Sequence, residues 1–408
     1  MGNSRRDFLK KSIGLVSLST VAPHLWVRSA AANARGTAVD RTLVVLQLDG
    51  GNDGLNTIVP YAQGAYYDAR PTLGIAASDV IHLDSAVGLH PSLANLKPLY
   101  DAQKLAIVQG VGYPTPNRSH FRSREIWQTA DPVQIDTTGW LGRYADAHLA
   151  DAGELAAINI GGSLPKSLNA DRVVVPSIAS LETYQFVTDP LYTGDRQNQI
   201  NCYLGINDRP TATGDELAIS ETSTDAYSGS TELQAATTGY TPHATYPNSR
   251  LAANLQFAAQ IITAGVGTRV VYLTTGGYDT HSGESTDHPR LLSDLAASLA
   301  AFQTDIEGQG LADSVALLAF SEFGRRVEEN GSDGTDHGTA GPMLLLGTQV
   351  AGGLHGVYPS LTSLDTNGDL IFTVDFREVY AAALETWLGV DSHDILEGTF
   401  TPAGVFRS

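Results

Sequence analysis

One cysteine, Cys202, stands in 408 residues, so no disulfide can form within the chain and no thiolate-rich zinc or iron–sulfur site can be assembled. Any metal must be held by His, Asp, Glu, Asn or hydroxyl oxygens. Basic side chains are scarce as well: Lys and Arg number 25 against 44 Asp and Glu, a formal charge of −19. A surface this acidic repels phosphate backbones at long range, which argues against nucleic acid as a partner but leaves room for a local cationic or metal-bearing pocket that takes a small anion. The apolar run from Ile13 to Val27 is interrupted by Ser17, Ser19, Thr20, Pro23 and His24, too short and polar for a comfortable membrane span. What is present is globular composition, 42% hydrophobic and 17% charged. That excludes collagen, coiled coil and global disorder, and the length suits one large α/β domain or two ordinary ones.

Ser4-Arg5-Arg6-Asp7-Phe8-Leu9-Lys10 is a twin-arginine export signature; the apolar run follows it, and small residues then offer cleavage after Ala32 or Ala34. Residues 1–34 are therefore expected to be a signal peptide handled by the twin-arginine machinery. The remaining protein would be periplasmic or secreted, with no stable membrane anchor after cleavage. Removing them takes away five basic side chains and one acidic one, so the mature chain is more acidic still. Twin-arginine transport moves folded proteins, which suits a chain that loads a metal before export and has no disulfide to gain outside.

From about residue 40 to 405 the pattern is that of one domain. Apolar, β-branched runs end in Gly, Asp and Asn clusters: Leu43–Leu48, Leu105–Gln109, Ala156–Ile160, Arg269–Thr274, Val315–Phe320 and Met343–Leu346. Amphipathic helical patterns lie between them, which predicts an α/β fold with a mostly parallel central sheet sandwiched between helices. One helix carries Leu291, Leu292, Leu295, Leu299 and Phe302 on a stripe, and another lies around Leu251–Ile262. A third opens with a capping box, Asp375 and Glu378, and stops at Gly389. Apolar periodicity fades between about residues 189 and 250, where Thr, Ser, Gly, Asn and Asp dominate. This stretch reads as a polar surface insertion, either lid-like or a solvated loop region.

Open parallel sheets collect ligands at the carboxyl ends of their strands. The polar residues there are Asp49-Gly50-Gly51-Asn52-Asp53, Asn117-Arg118-Ser119-His120, Gly277-Tyr278-Asp279-Thr280-His281, Ser321-Glu322-Phe323-Gly324-Arg325 and Thr335-Asp336-His337. Asp49 closes a buried strand before two glycines; it suits a carboxylate presented into a pocket and equally an Asx turn with Asn52 and Asp53. Asp279 and His281, two apart, share a face of an extended segment, whereas the adjacent Asp336 and His337 point to opposite sides unless the chain bends. Together these are enough hard and borderline ligands for one or two divalent metals. Ser119 precedes a helical pattern, so it is either an N-cap or a hydroxyl that a metal could activate. Arg118 is either a surface charge or a fork for a tetrahedral anion. His120 is available for proton transfer, and Glu322 and Arg325 would support the ligands from behind.

The texts LDGGNDGLN, NRSHF, GGYDTHSG, FSEFGRR and TDHGTAGP resemble domain-of-unknown-function family 1501, an exported, sulfatase-like branch of the alkaline phosphatase superfamily. The resemblance implies an alkaline-phosphatase-like sheet with a bimetallic centre at its carboxyl edge. Asp49, Asp336 and His337 match one metal's ligands, with Asn52 beside them, and Ser119 matches the nucleophile. Asp279, His281 and His355 match the second metal's, with His288 a rival to His281 because the superfamily usually separates that Asp and His by three residues. Zinc suits the histidine half; calcium or magnesium would suit Asp49, Asn52 and Asp336. Formylglycine chemistry needs Cys or Ser ahead of x-Pro-x-Arg, and Pro114 occupies that place before Thr115-Pro116-Asn117-Arg118, which leaves Thr115 as a second-choice hydroxyl. The expected function is an exported metal-dependent hydrolase of phosphate or sulfate esters acting on a small anionic ester. The alternative is a non-catalytic exported binding protein that retains the fold and a structural metal.

Overall fold

The computed structural model describes residues 41–407; the twin-arginine segment lies outside them. Fourteen strands occur among the described residues. Strand β1 (Thr42–Asp49) is followed by a small separate sheet of β2 (Ile58–Val59), β3 (Ile81–His82) and β4 (Gly88–Leu89). Then come β5 (Leu105–Gly112), β6 (Ala157–Ile160), β7 (Ser177–Ile178), β8 (Val270–Gly276) and β9 (Val315–Ser321). A hairpin of β10 (Arg325–Glu329) and β11 (Thr335–His337) precedes β12 (Gly341–Leu346), β13 (Gly353–His355) and β14 (Val374–Asp375). The central sheet runs β13-β5-β12-β9-β1-β8-β6-β7, with β14 also on β5.

All its pairings are parallel except those of β12, which is antiparallel to both β5 and β9. The reason lies in the hairpin. It sits where β9 ends, at the carboxyl edge, so the strand after it starts at that edge and must run back.

Alternation along β1 feeds two cores. Leu43 and Val45 pack with Phe320, Phe376, Tyr380 and Trp387 on one face, while Val44, Leu46 and Leu48 pack with Leu255, Leu295, Leu299 and Phe302 on the other. Each fully buried side chain of this size contributes about 1.5–3 kcal/mol. The second face is covered by the helices Arg250–Thr263 and Glu284–Gly308, the first by the helix that begins at Phe376. That helix is capped by Asp375, whose carboxylate accepts from Arg377 N (3.0 Å), widens to a π-turn over Ala382–Leu388, and stops at Gly389 in the left-handed conformation. Among the described residues no helix is long and apolar enough to cross a membrane.

The polar stretch holds more order than its composition suggests, with helices at Arg196–Asn207 and Asp215–Ala236. The longer one buries Ser220, Tyr227, Gly229, Ser230 and Leu233, a face too polar to stand out as an apolar stripe.

Candidate metal centre

Strands β8, β1 and β9 are adjacent and parallel, with Asp49 opposite Gly276 and Leu48 opposite Ser321. Their following turns therefore leave the sheet side by side. They also touch. A side chain on Gly50 (φ +124°) would collide with the backbone of Asp279, and one on Gly51 (φ +76°) with the ring of Phe323. Glycine at both places lets the first turn take its left-handed path and lets its neighbours close in.

The buried guanidinium of Arg325 ties these turns together. Its Nε donates to Gly51 O (2.6 Å), Nη1 to Thr335 O (2.8 Å), and Nη2 to Tyr278 O (3.1 Å), to Asp279 Oδ1 (2.6 Å) and to Gly50 O. A planar five-donor group is suited to holding several backbone carbonyls at once.

Asp279 Oδ1 is the point of convergence. His281 Nε2 and His337 Nε2 each lie 3.1 Å from it, and His120 Nε2 lies 3.4 Å away. His281 Nε2 and His337 Nε2 are 2.8 Å apart. The other nitrogen of each ring faces a group that can only accept. His120 Nδ1 is 2.8 Å from Glu322 Oε1, His337 Nδ1 is 2.8 Å from Arg118 O, and His281 Nδ1 is 3.1 Å from Asp336 Oδ1. The proton of each neutral imidazole is thus assigned to Nδ1, and each Nε2 turns a lone pair toward Asp279.

The electrostatics favour the neutral ring at His337 and the charged form at His120. Burial disfavours charge on His337 and lowers its pKa. Hydrogen bonding to Glu322 raises that of His120. Burial opposes ionisation of Asp279, but the Arg325 guanidinium bonded to it and the imidazoles beside it prevail and bring its pKa down to about 2. Asp336 is held below the ordinary range by its bond to His281.

Lone pairs aimed at one another repel, so this arrangement needs a cation or an added proton at its centre. Two observations favour a metal. His120 Nε2 is buried and has no hydrogen-bond partner, and its approach to Asp279 is too poorly aligned to be one. His120, Asp279 and His337 present ligand atoms within 4.8 Å of one another, with His281 Nε2 beside them; imidazole nitrogens and a carboxylate oxygen, each ring fixed by an outer acceptor, are donors that could hold a zinc-type ion.

The residues singled out from sequence are placed as follows. Asp279, His281 and His337 meet at the cluster, and His120, expected to move protons, joins them through Nε2. Asp336 reaches it through the far nitrogen of His281. Ser119 caps the helix His120–Thr129 from an exposed position, and its side chain makes no capping bond. The Arg118 carbonyl holds His337, whereas its guanidinium turns to Asp369 (3.2 Å). Asp49 pairs with Arg124 (2.6 Å) beside Glu322, whose carboxylate accepts from Gly50 N (3.0 Å). Asn52 is buried and accepts from His288 Nε2 (3.0 Å); both stand apart from the cluster histidines. His355 lies on β13, bonded to Ala351 O (2.6 Å). Arg124 and Glu284 carry no signal in the sequence; with Asp53 and His288, Glu284 completes a buried trio. Asp53, between Asn52 and Gly54, reads from sequence as a turn residue.

An α/β sheet with a histidine–aspartate cluster at its carboxyl edge is the class that fold and site define. Residues 111–398 match the family described as "Protein of unknown function (DUF1501)", and the chain belongs to that family. No curated protein matches it. Among solved structures it is similar to a protein in the alkaline phosphatase superfamily from Vibrio parahaemolyticus, at 10% identity and TM-score 0.41, over 89% of this chain and 70% of that one. It is also similar to the PsFucS1 sulfatase from Pseudoalteromonas sp. (12%, TM-score 0.40, 94% and 73%). A third is the phosphonate monoester hydrolase SpPMH from Silicibacter pomeroyi (10%, TM-score 0.36, 88% and 75%).

Proposed function

We propose that this protein is an exported metal-dependent hydrolase of phosphate or sulfate esters, with Asp279, His281, His337 and His120 as ligands and Ser119 as nucleophile. The observation that carries the reading is the convergence of three imidazole lone pairs on Asp279 Oδ1, with His120 Nε2 buried and unpartnered. A bound divalent metal, zinc by donor type, would supply Lewis-acid polarisation of an ester oxygen.

The chain's own groups do the rest. Glu322, Asp336 and the Arg118 carbonyl fix the three rings and keep their protons on Nδ1. Ser119 offers a hydroxyl free of capping duty. The first N–H groups of the helix His120–Thr129, without intrahelical partners, face the same end and favour an anion there. Attack by Ser119 Oγ forms a bond to phosphorus or sulfur and breaks the ester bond; the alcohol leaves with a proton and water later frees the serine.

The test is elemental analysis of protein purified from its own periplasm, followed by assays on 4-nitrophenyl phosphate, bis(4-nitrophenyl) phosphate and 4-nitrophenyl sulfate. His337→Ala should lose metal and activity together. Ser119→Ala should keep the metal and lose about a hundredfold or more in kcat. Activity unaltered by Ser119→Ala removes the serine from its role. A full complement of metal with no turnover of any ester favours the binding-protein alternative.

A further inference from the structure

On the far side of the ligand turns lies a closed set of polar side chains that the proposed chemistry leaves unused. Asp53, Arg70, Glu284 and His288 are each at most 1% exposed. Arg70 forks onto Asp53, Nη1 to Oδ2 at 2.7 Å and Nη2 to Oδ1 at 3.1 Å, and donates its other N–H groups to Val327 O (2.6 Å) and Arg326 O (2.7 Å). Glu284 opens the long helix Glu284–Gly308. Its Oε2 accepts from Thr335 Oγ1 (2.6 Å) and Thr280 Oγ1 (3.0 Å). Its Oε1 is buried without a donor, in a space where Asp53, Glu284 and His288 present atoms within 4.8 Å of one another.

Two carboxyl groups this close, with one guanidinium between them, do not both ionise away from water. Arg70 sits on Asp53, so Asp53 is the ionised partner. Burial and the Asp53 charge both push the Glu284 carboxyl well above the ordinary range. A proton on Oε1 gives that atom the partner it otherwise lacks.

We propose that Glu284 is a positioning residue for the metal centre: as the neutral acid it donates to Asp53 and accepts from Thr280 and Thr335, tying together the two segments that carry the ligands. Thr280 stands between Asp279 and His281, and Thr335 immediately precedes Asp336 and His337. The segments are joined again by Thr335 N donating to Thr280 O (3.1 Å), and Glu284 N donates to Asp333 O (2.8 Å). One carboxyl therefore sets the spacing of His281 and His337. A second metal in place of the proton fits poorly, because Arg70 occupies both Asp53 oxygens and Asn52 occupies His288 Nε2. The consequence for metal binding rests on the proposed function; the protonation of Glu284 does not.

Zinc affinity by chelator competition, histidine ring NMR in the metal-free protein and infrared absorption of protonated carboxyls test it on the mature chain. Glu284→Gln, a neutral isostere with the same donor and acceptor, should keep zinc affinity within about threefold and leave the His281 and His337 resonances in place. Glu284→Ala should lower affinity about 10–100-fold, the usual cost of losing an outer-shell partner, and shift both resonances. Thr335→Val should fall between them, and serves if the alanine variant fails to fold. Wild type should show a buried protonated carboxyl band at neutral pH that Glu284→Gln lacks. The proposal is overturned if Glu284→Gln is as damaging as Glu284→Ala, if Glu284→Ala changes neither affinity nor resonances, if the band is absent, or if anomalous scattering places zinc between Asp53 and His288. Wild type that binds no zinc at all sinks the metal reading, and the NMR and infrared arms still decide the role of Glu284.

Discussion

His120 has one nitrogen on Glu322 and the other, buried, on nothing but the centre of the cluster. Glu322 is itself held below the ordinary range: burial works against its ionisation, and the bond from His120 together with those from backbone N–H groups outweighs it. Glu322→Gln would keep an acceptor for Nδ1–H but remove the charge that raises ring basicity. Zinc affinity should fall about tenfold or more, while His120→Ala, which removes the ring, should cost more in the same titration. Arg118 makes the opposite prediction. Only its carbonyl touches a cluster ring, so Arg118→Ala should leave zinc affinity within about threefold. A larger loss would mean that its guanidinium turns from Asp369 to the centre. These residues also show how far single positions were legible. Asp279 and His281 could be paired from their spacing alone. Asp336 and His337 could not be assigned a side each; in the folded chain both reach one ring, Asp336 at His281 Nδ1 and His337 at His281 Nε2.

At the level of elements, the buried strands were readable because parallel strands covered on both faces leave nearly continuous apolar runs. The direction of β12 was not, because it depends on where the preceding hairpin sits. Nor was the helix Asp215–Ala236, whose buried face is largely Ser, Gly and Tyr. The close packing of the ligand segments is likewise invisible in sequence, since a glycine that admits a neighbour's backbone looks like any turn glycine. Gly334 is such a case: a side chain there would meet the carbonyl of His281 and the amide of Ser282. Gly334→Ala must push β11 away from the turn that carries His281. Overpacking of this kind costs about 1–3 kcal/mol, so the variant should melt a few degrees lower yet remain folded. Its zinc affinity should fall disproportionately, because the displaced strand carries His337. Calorimetry beside chelator titration separates the two effects, and unchanged affinity with lowered stability would show that the ligand segments move as one body.

For the molecule as a whole, the formal charge of −19 makes self-repulsion grow as pH rises, and that term obscures any single group's share in a stability profile. Comparing wild type with Glu284→Gln in chelator removes it, because both carry the same background. The Glu284 carboxyl is raised in the folded chain above the ordinary 4.5, so from about pH 4.5 upward the unfolded chain loses a proton that the folded chain keeps. The folded state binds more protons, and stability must fall with rising pH. The glutamine variant lacks this slope. It should therefore gain on wild type by about 1.4 kcal/mol per pH unit through the neutral range. On the acid side the sign reverses for two buried histidines: burial lowers His90 and His288 to about 4, so the unfolded chain takes up protons first as pH drops below 6.5. That costs roughly 3 kcal/mol apiece by pH 4, and it should appear equally in both proteins. Denaturant melts of the pair from pH 4 to 9 would then show parallel curves at the acid end for the histidine contribution, with the carboxyl contribution separating them steadily toward alkali. Curves that stay parallel throughout would mean that Glu284 is ionised in the folded chain, and the link between the two ligand segments would have to be a charged one.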